Sequence, residues 1–377
     1  MTKEDNSILI LDNSVAITGA LKAIIATSEE LSLYNRFIFL LPTNSSAVSY
    51  IKAMGFEVFE VPFKEISKRI IDLITYLPFL IINTFRINRI IRMNNVRLIH
   101  INDFYNMLGI SAFLLNPHLK LITHIRILPD RYPLILRKLW LAIAENFSSS
   151  VLCMSQSIKA QLNPKTKCKV IYDMPLKSEE FPPPSIDSSN HSTIKLLYLS
   201  NYINGKGQNY AIEAFAIALN KNKRLRLTFV GGDMGLEKNR KFKDDLVGLA
   251  QKHNVLNFVL FKDFHNNVEQ LIKSFDIMLN FSESESFSMT CLESLYYGTP
   301  LIATDSGGPA ELFEHGKSGH LVPNRDVQAM AKAIILLANR LDIREKYSSS
   351  SRIHIRKTFN ISDTVKKLNQ IYNQFQI

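Results

Sequence analysis

An α/β chain of two Rossmann-like domains is the fold class this sequence predicts, and three observations predict it. Short apolar runs such as Ser7–Leu11, Arg36–Leu41, Lys195–Ser200 and Leu225–Val230 alternate with amphipathic runs of helical period, the rhythm of parallel sheets crossed by helices. The 377 residues suffice for two domains of ordinary size. Composition shifts sharply once, over Asp173–Thr193, where Pro175, Pro182, Pro183 and Pro184 gather with several serines. Residues 1–173 are therefore expected to form one domain, 174–193 a linker and 194–358 a second domain, with a last amphipathic helix in 359–377.

Bulk properties narrow the class. Apolar residues make up 46% of the chain, as in packed globular domains and unlike disordered ones. The formal charge of +11 favours an anionic partner: nucleic acid, a phosphorylated ligand or an anionic membrane surface. No nucleic-acid recognition motif accompanies it. Cys153, Cys168 and Cys291 lack metal-ligand spacing, and clustered His or Asp-x-Asp patterns are missing, so no metal is expected. The first residues show no secretion signal and no apolar run reaches the ~20 residues of a membrane span. A cytoplasmic protein is expected.

The first half opens with a strand at Ser7–Leu11 and a loop bearing Gly19, followed by a helix to Leu31. Gly19 permits close approach of a ligand or simply makes a packing turn. Strands follow at Arg36–Leu41 and Glu57–Val61, with a helix around Ser46–Met54. Residues 64–97 mix aliphatic and aromatic side chains with Lys64, Lys68, Arg69, Arg86, Arg89, Arg92 and Arg97. They read as two basic amphipathic helical pieces, broken or kinked at Pro78, either lying in a membrane surface or packing on the core with a solvated basic face. Leu98–Ile101 runs into Asn102-Asp103, and Leu119–Thr123 ends at His124-Ile125-Arg126. Alone, His124 reads as a capping or core imidazole. A helix within Asp130–Ser150 carries Trp140, and strands at Val151–Ser155 and Lys169–Tyr172 close the half.

In the second half, the strand Lys195–Ser200 leads to a loop with Gly205, Lys206 and Gly207, then a helix from Gln208 to Ala218. A lysine and a helix start at one turn suit a diphosphate, although a surface lysine reads the same way. Strands are expected at Leu225–Val230 and Val255–Phe261, and helices at Val268–Phe275, from Val327, at Leu341–Tyr347 and at Ser362–Phe375. The most informative stretch is Phe281–Glu311. Its grammar is strand, loop with Glu285, helix from Ser288 with Glu293, turn at Gly298-Thr299-Pro300, strand at Leu301–Thr304, and loop at Gly307-Gly308. Two loops thus fall at strand carboxyl ends, where open α/β sheets bind ligands.

That stretch resembles the nucleotide-sugar signature of GT-B retaining glycosyltransferases of the GT4 type (glycosyl transferases group 1). Glu285 and Glu293 have the family's spacing, the turn and the Gly-Gly loop follow in register, and Lys206-Gly207 matches its Lys-Gly. Ser200 and Asn201 stand where the family has glycine and arginine, and Ser286 and Ser288 where glycine is common. The resemblance implies two Rossmann-like domains facing across a cleft, the first (1–173) binding the acceptor and the second (194–358) the nucleotide sugar, with the C-terminal helix (359–377) crossing back to the first. It implies metal-independent, retaining transfer of a sugar from a nucleotide diphosphate (UDP or GDP) to a glycan or lipid-linked glycan, as in polysaccharide or lipopolysaccharide assembly, without a cofactor. The catalytic residues it implies are His124, Lys206 and Glu285. The donor-binding residues are Gly19, Asn201, Lys206, the helix start at Phe287, Ser288 and Met289, and Glu293. Two other readings stay open: a non-catalytic GT-B-like binding or scaffold protein, and another GT-B enzyme such as an epimerase or phosphorylase.

Overall fold

A computed structural model describes residues 6–63, 70–174, 193–263 and 267–375, with the backbone alone over 70–74. Residues 64–69 of the basic segment and 175–192 of the expected linker lie outside the described residues. The chain divides into two compact units, Met1–Met174 with Ile361–Ile377, and Pro175–Asn360.

In chain order the first unit has β1 (Ser7–Leu11), α1 (Gly19–Leu31), β2 (Arg36–Pro42), α2 (Val48–Ala53), β3 (Glu57–Val61), α3 (Ile70–Met93) and β4 (Val96–Ile101). There follow α4 (Met107–Leu115), β5 (Lys120–Ile125), α5 (Leu134–Phe147), β6 (Ser150–Cys153), α6 (Gln156–Lys159) and β7 (Cys168–Val170). The strands form one parallel sheet in the order β3-β2-β1-β4-β5-β6-β7. All five residues of β1 are buried, because both faces of a parallel sheet are covered and its strands become continuous apolar runs. Leu9 pairs with Ile38 on one side and Ile99 on the other. The strand order reverses between β1 and β4, a switch point whose carboxyl edge opens a natural crevice.

Two expectations change here. Helix α3 runs through Pro78 as one helix instead of forming two pieces. A proline removes one i→i−4 bond, and the bonds on either side carry the helix past it. His124 lies inside β5 instead of beyond its end, because the ladder with β6 extends to Ile125↔Cys153.

The second unit has β8 (Ile194–Leu199), α7 (Gln208–Lys221), β9 (Leu225–Val230), α8 (Glu237–Lys252), β10 (Val259–Lys262), α9 (Val268–Lys273) and β11 (Ile277–Asn280). It continues with α10 (Met289–Tyr297), β12 (Leu301–Thr304), α11 (Pro309–Leu312), β13 (His320–Val322), α12 (Val327–Asn339) and α13 (Leu341–Thr358). Its sheet is also parallel, in the order β10-β9-β8-β11-β12-β13, and switches between β8 and β11. The strand expected from Val255 begins only at Val259, after a 3-10 turn at Leu256–Phe258. Helix α13 extends well past the expected Tyr347, to Thr358.

The last helix, α14 (Ile361–Asn373), belongs to the first unit. Leu368, Ile371 and Tyr372 pack among Ile8, Ile10, Leu21 and Ile24. Tyr372 Oη lies 2.7 Å from His100 Nδ1, and Thr364 Oγ1 donates to the Tyr172 carbonyl at 3.3 Å.

Candidate functional site

The carboxyl edge of the second sheet, at its β8/β11 switch, collects most of the residues singled out in the sequence. The loop after β8 ends at Gly207, which caps α7 with φ +77°. A Cβ there would stand 1.8 Å from the Phe281 carbonyl oxygen, so only glycine lets this loop press against the end of β11. Buried Tyr198 bolts the two together: its hydroxyl donates to the Lys206 carbonyl at 2.5 Å and accepts from the Phe281 N–H at 2.7 Å. The Lys206 backbone is thereby fixed. Its ammonium meets Glu285 Oε1 at 2.6 Å, and Ser282 Oγ donates to the same oxygen at 2.9 Å.

Glu285 is itself held by the Gly-Gly loop. Its N–H donates to the Ser306 carbonyl at 2.9 Å, and its carbonyl accepts the Gly308 N–H at 2.8 Å. A Cβ on Gly308 would come within 2.2 Å of Phe287 Cα, so the loops after β11 and β12 interlock backbone to backbone. Thr304 Oγ1 adds a bond to the Ser282 carbonyl at 2.7 Å. The pairing of Lys206 with Glu285 is new relative to the sequence, which gave them separate partners. Each partner is partly open, at 27% and 14% side-chain exposure, so both remain reachable by a ligand.

The start of α10 is the third part. Ser288 caps it from φ +77°, ψ +88°, its hydroxyl accepting from the Cys291 N–H at 3.4 Å and from Asn280 Nδ2 at 3.0 Å. Phe287 is wholly buried and packs 5.8 Å from the Phe359 ring, so at this position only its backbone is offered to a ligand. Met289 is half-buried, and Glu293, one turn into the helix, is buried.

Asn201 is committed elsewhere. Its Oδ1 accepts the Gly232 N–H at 3.1 Å and its carbonyl accepts Gln208 Nε2 at 2.8 Å. It splices the loop after β8 to the loop after β9, where a Cβ on Gly231 would meet the Ser200 carbonyl oxygen at 2.0 Å.

Gly19 and His124 belong to the first unit. Gly19 is exposed and opens α1, behind Thr18, whose hydroxyl accepts the Leu21 N–H at 3.2 Å. His124 is 1% exposed, and neither ring nitrogen has a hydrogen-bond partner among the described residues. Burial pushes its pKa well below the ordinary imidazole value, and the charges of Arg126 and His100 push the same way. Its ring stands 5.5 Å from that of His100, whose pKa burial and then Arg126 lower to about 3. Sequence reasoning missed the group beside them. Arg126 pairs with Asp173 and donates through Nε to Asn102 Oδ1 at 2.8 Å, while Asn102 Nδ2 donates to Asp12 Oδ2 at 2.5 Å. All four are buried at the carboxyl ends of β1, β4 and β5 and at the exit of the unit. The only sequence signal was an arginine directly after an apolar strand.

Residues 185–354 match the profile of the family Glycosyl transferases group 1. The crystal structure of Anabaena Alr3699/HepE in complex with UDP and glucose superposes with a TM-score of 0.79, covering 97% of this chain and 99% of that one at 18% identity, a likeness of fold. The group 1 glycosyltransferase match lies in the second unit, and the chain as a whole has the GT-B fold. Similar curated proteins include Alpha-1,3/1,6-mannosyltransferase ALG2 of Dictyostelium discoideum, 26% identical over 61% of this chain and 59% of its own length. Capsular polysaccharide biosynthesis glycosyltransferase CapM of Staphylococcus aureus is 25% identical over 47% of this chain and 45% of its own length. The chain thus spans 59% and 45% of these two relatives. In the matched segment the departures from the family pattern have local reasons. Asn201 supplies an acceptor for Gly232 that an arginine, which only donates, does not have. Ser288 keeps the left-handed backbone that glycine adopts freely and adds a capping hydroxyl.

Proposed function

We propose that this chain transfers a sugar from a nucleotide-diphosphate donor to a glycan or lipid-linked glycan, with retention at the anomeric carbon and without a resident metal. The observation that carries the reading is the convergence of Lys206, Glu285 and the start of α10 at one sheet switch, within the segment that matches the family. The bond from the anomeric carbon to the donor phosphate breaks and the bond to the acceptor oxygen forms. The acceptor proton passes to the leaving phosphate. Charge growing on that phosphate is met by the Lys206 ammonium and by backbone N–H groups at the start of α10. Glu285 exchanges its lysine partner for donor-sugar hydroxyls, and Glu293 accepts from the ribose.

Calorimetry with UDP and GDP, followed by transfer assays with their sugars in the presence of EDTA, tests this. Lys206→Ala is expected to lower turnover by about 100- to 1000-fold. An α-linked product from an α-linked donor supports retention, and a β-linked product refutes it. One observation favours a second reading: Lys206 is already neutralised by Glu285, and position 201 has no cation. A GT-B binding protein without turnover would bind a nucleotide yet transfer no sugar.

The acceptor is proposed to be membrane-borne and of the cell-surface polysaccharide kind, in a cytoplasmic protein bound peripherally. Helix α3 supports this: Leu77, Ile81, Ile82 and Phe85 are exposed on it with Arg86, Arg89 and Arg92, the composition of an in-plane contact with anionic lipid. No helix among the described residues is long and apolar enough to cross a membrane. Co-sedimentation with phosphatidylglycerol vesicles, lost at high salt, is the expected result; equal partition onto neutral vesicles refutes it.

A further inference from the structure

The second unit carries a groove of about 570 Å³ on the face of its sheet turned away from α7 and α12. Along β8, β9 and β10, Ile194, Leu196, Leu225, Leu227 and Val259 enter the core on one face. The alternation of a strand therefore sends Lys195, Arg226, Thr228, Val230 and Lys262 to the other, where they line the groove. Helix α9 gives one wall through Leu271, Ser274 and Phe275. This helix is only six residues long and leaves β10 open on that face, where Leu260 is 50% exposed. We infer that the groove binds a small molecule with a phosphate group at each end, at a site separate from the proposed donor site and independent of the transferase reading.

Charge, an unsatisfied hydroxyl and size carry it. Lys195 and Arg226 are register partners, on strands about 4.8 Å apart. No carboxylate pairs with either among the described residues, and two such cations repel unless an anion lies between them. Arg226 Nη1 donates to the Lys223 and Leu225 carbonyls at 3.0 and 2.7 Å, and its guanidinium lies 4.8 Å from the centre of the Phe258 ring. Those contacts hold the guanidinium in place and leave Nε and Nη2 free to donate, the fork that suits a phosphate. Lys262 stands beside Val230, four residues on from Arg226, or about 13 Å of strand. It too has no carboxylate partner among the described residues. Asp263, the only carboxylate of the lining, is held by Lys243 at 2.9 Å. The groove thus has a doubly cationic end and a singly cationic end. Midway between them Thr228 is 8% exposed, and its hydroxyl has no hydrogen-bond partner among the described residues. A nearly buried hydroxyl of this kind is costly until water or a ligand meets it; a hydroxylated body joining two phosphates does so. The volume of about 570 Å³ falls within the roughly 300–1,000 Å³ of small-molecule sites.

The full chain is titrated by calorimetry with fructose 1,6-bisphosphate, alone and again with saturating UDP present. Fructose 6-phosphate and fructose are titrated alongside. Saturable binding of the bisphosphate is expected, unchanged by UDP, about tenfold or more tighter than the monophosphate, with no response to fructose. Lys195→Ala should weaken it about tenfold or more, and Lys262→Ala should reduce it to the level of the monophosphate. Thr228→Val keeps the side-chain shape and should weaken binding about three- to tenfold. Lys206→Ala should bind the bisphosphate as the parent does, and circular dichroism should be unchanged in all four variants. Displacement by UDP, or loss of binding in Lys206→Ala, puts the anion at the β8/β11 switch and overturns the assignment. So do equal affinities for bisphosphate and monophosphate, affinities untouched by Lys195→Ala and Lys262→Ala, or no saturable binding at all. A chain that transfers no sugar yet binds the bisphosphate through Lys195 and Lys262 keeps this inference and removes the transferase.

Discussion

Ser288 offers the sharpest quantitative test of the geometry at the proposed donor site. Its backbone sits at φ +77°, ψ +88°, where an L residue is strained by about 1–2 kcal/mol. Its hydroxyl offsets part of this by accepting from Cys291 and Asn280, and an N-cap is worth about 1 kcal/mol against alanine. Ser288→Ala loses the cap and keeps the strain, so it should destabilise the second unit by about 1 kcal/mol. Ser288→Gly loses only a few tenths at the cap and sheds the strain, set against about 0.5–1 kcal/mol of extra unfolded-state entropy. It should be neutral or stabilising by up to about 1 kcal/mol. The two variants should thus differ by roughly 1–2 kcal/mol, a shift of about 2–8 °C for a unit of this size. Urea and thermal unfolding of both variants read this directly, and the glycine variant should bind UDP or GDP as the parent does. An alanine variant as stable as the glycine variant would show that the backbone at 288 is not strained.

Three further outcomes follow from the same geometry. Gly207→Ala drives a Cβ into the Phe281 carbonyl at positive φ; it should cost at least about 3 kcal/mol and displace Lys206, read as a lower urea midpoint and lost nucleotide binding. Asp103 has its pKa raised to about 8, first by burial and then by the Asp12 carboxylate, against the opposing N–H groups of Phe104 and Arg126 and the Arg126 charge. The folded chain therefore holds a proton that the unfolded chain releases near pH 4, and stability falls as pH rises from about 4 to 8; Asp103→Asn should flatten that slope in unfolding measured at pH 5, 6.5 and 8. His124 behaves with the opposite sign. Its folded pKa lies well below the unfolded 6.5, so stability is lost as pH falls below 6.5. His124→Phe removes two unpartnered nitrogens and should reduce the acid loss by up to about 1.4 kcal/mol per pH unit; if it instead abolishes transfer in a folded chain, His124 acts on the substrate.

Much of this was legible in the sequence, for identifiable reasons. The strands were, because parallel strands covered on both faces spell apolar runs such as Ser7–Leu11. The loops after β8 and β12 were, because glycines pressed against backbone, such as Gly207 and Gly308, tolerate no other residue. What escaped was tertiary. Lys206 and Glu285 are 79 positions apart, and their pairing depends on Tyr198 joining two loops. Asn201 looked like a missing arginine until its bond to Gly232 gave it a task of its own. His124 looked like the end of a strand because Ile125-Arg126 resembles a loop, yet Arg126 is drawn inward by Asp173.

The placement of α14 has a consequence for how the protein comes into being. Synthesis delivers the chain from its first residue, yet the first unit lacks Leu368, Ile371 and Tyr372 until Ile361–Asn373 emerges. The second unit, contiguous over Pro175–Asn360, has no such wait. During translation the later-made unit is thus able to finish before the earlier one, which keeps His100 without its tyrosine partner and its sheet without one covering helix in the meantime. A nascent chain stalled before Ile361 should yield a protease-resistant second unit and a susceptible first one.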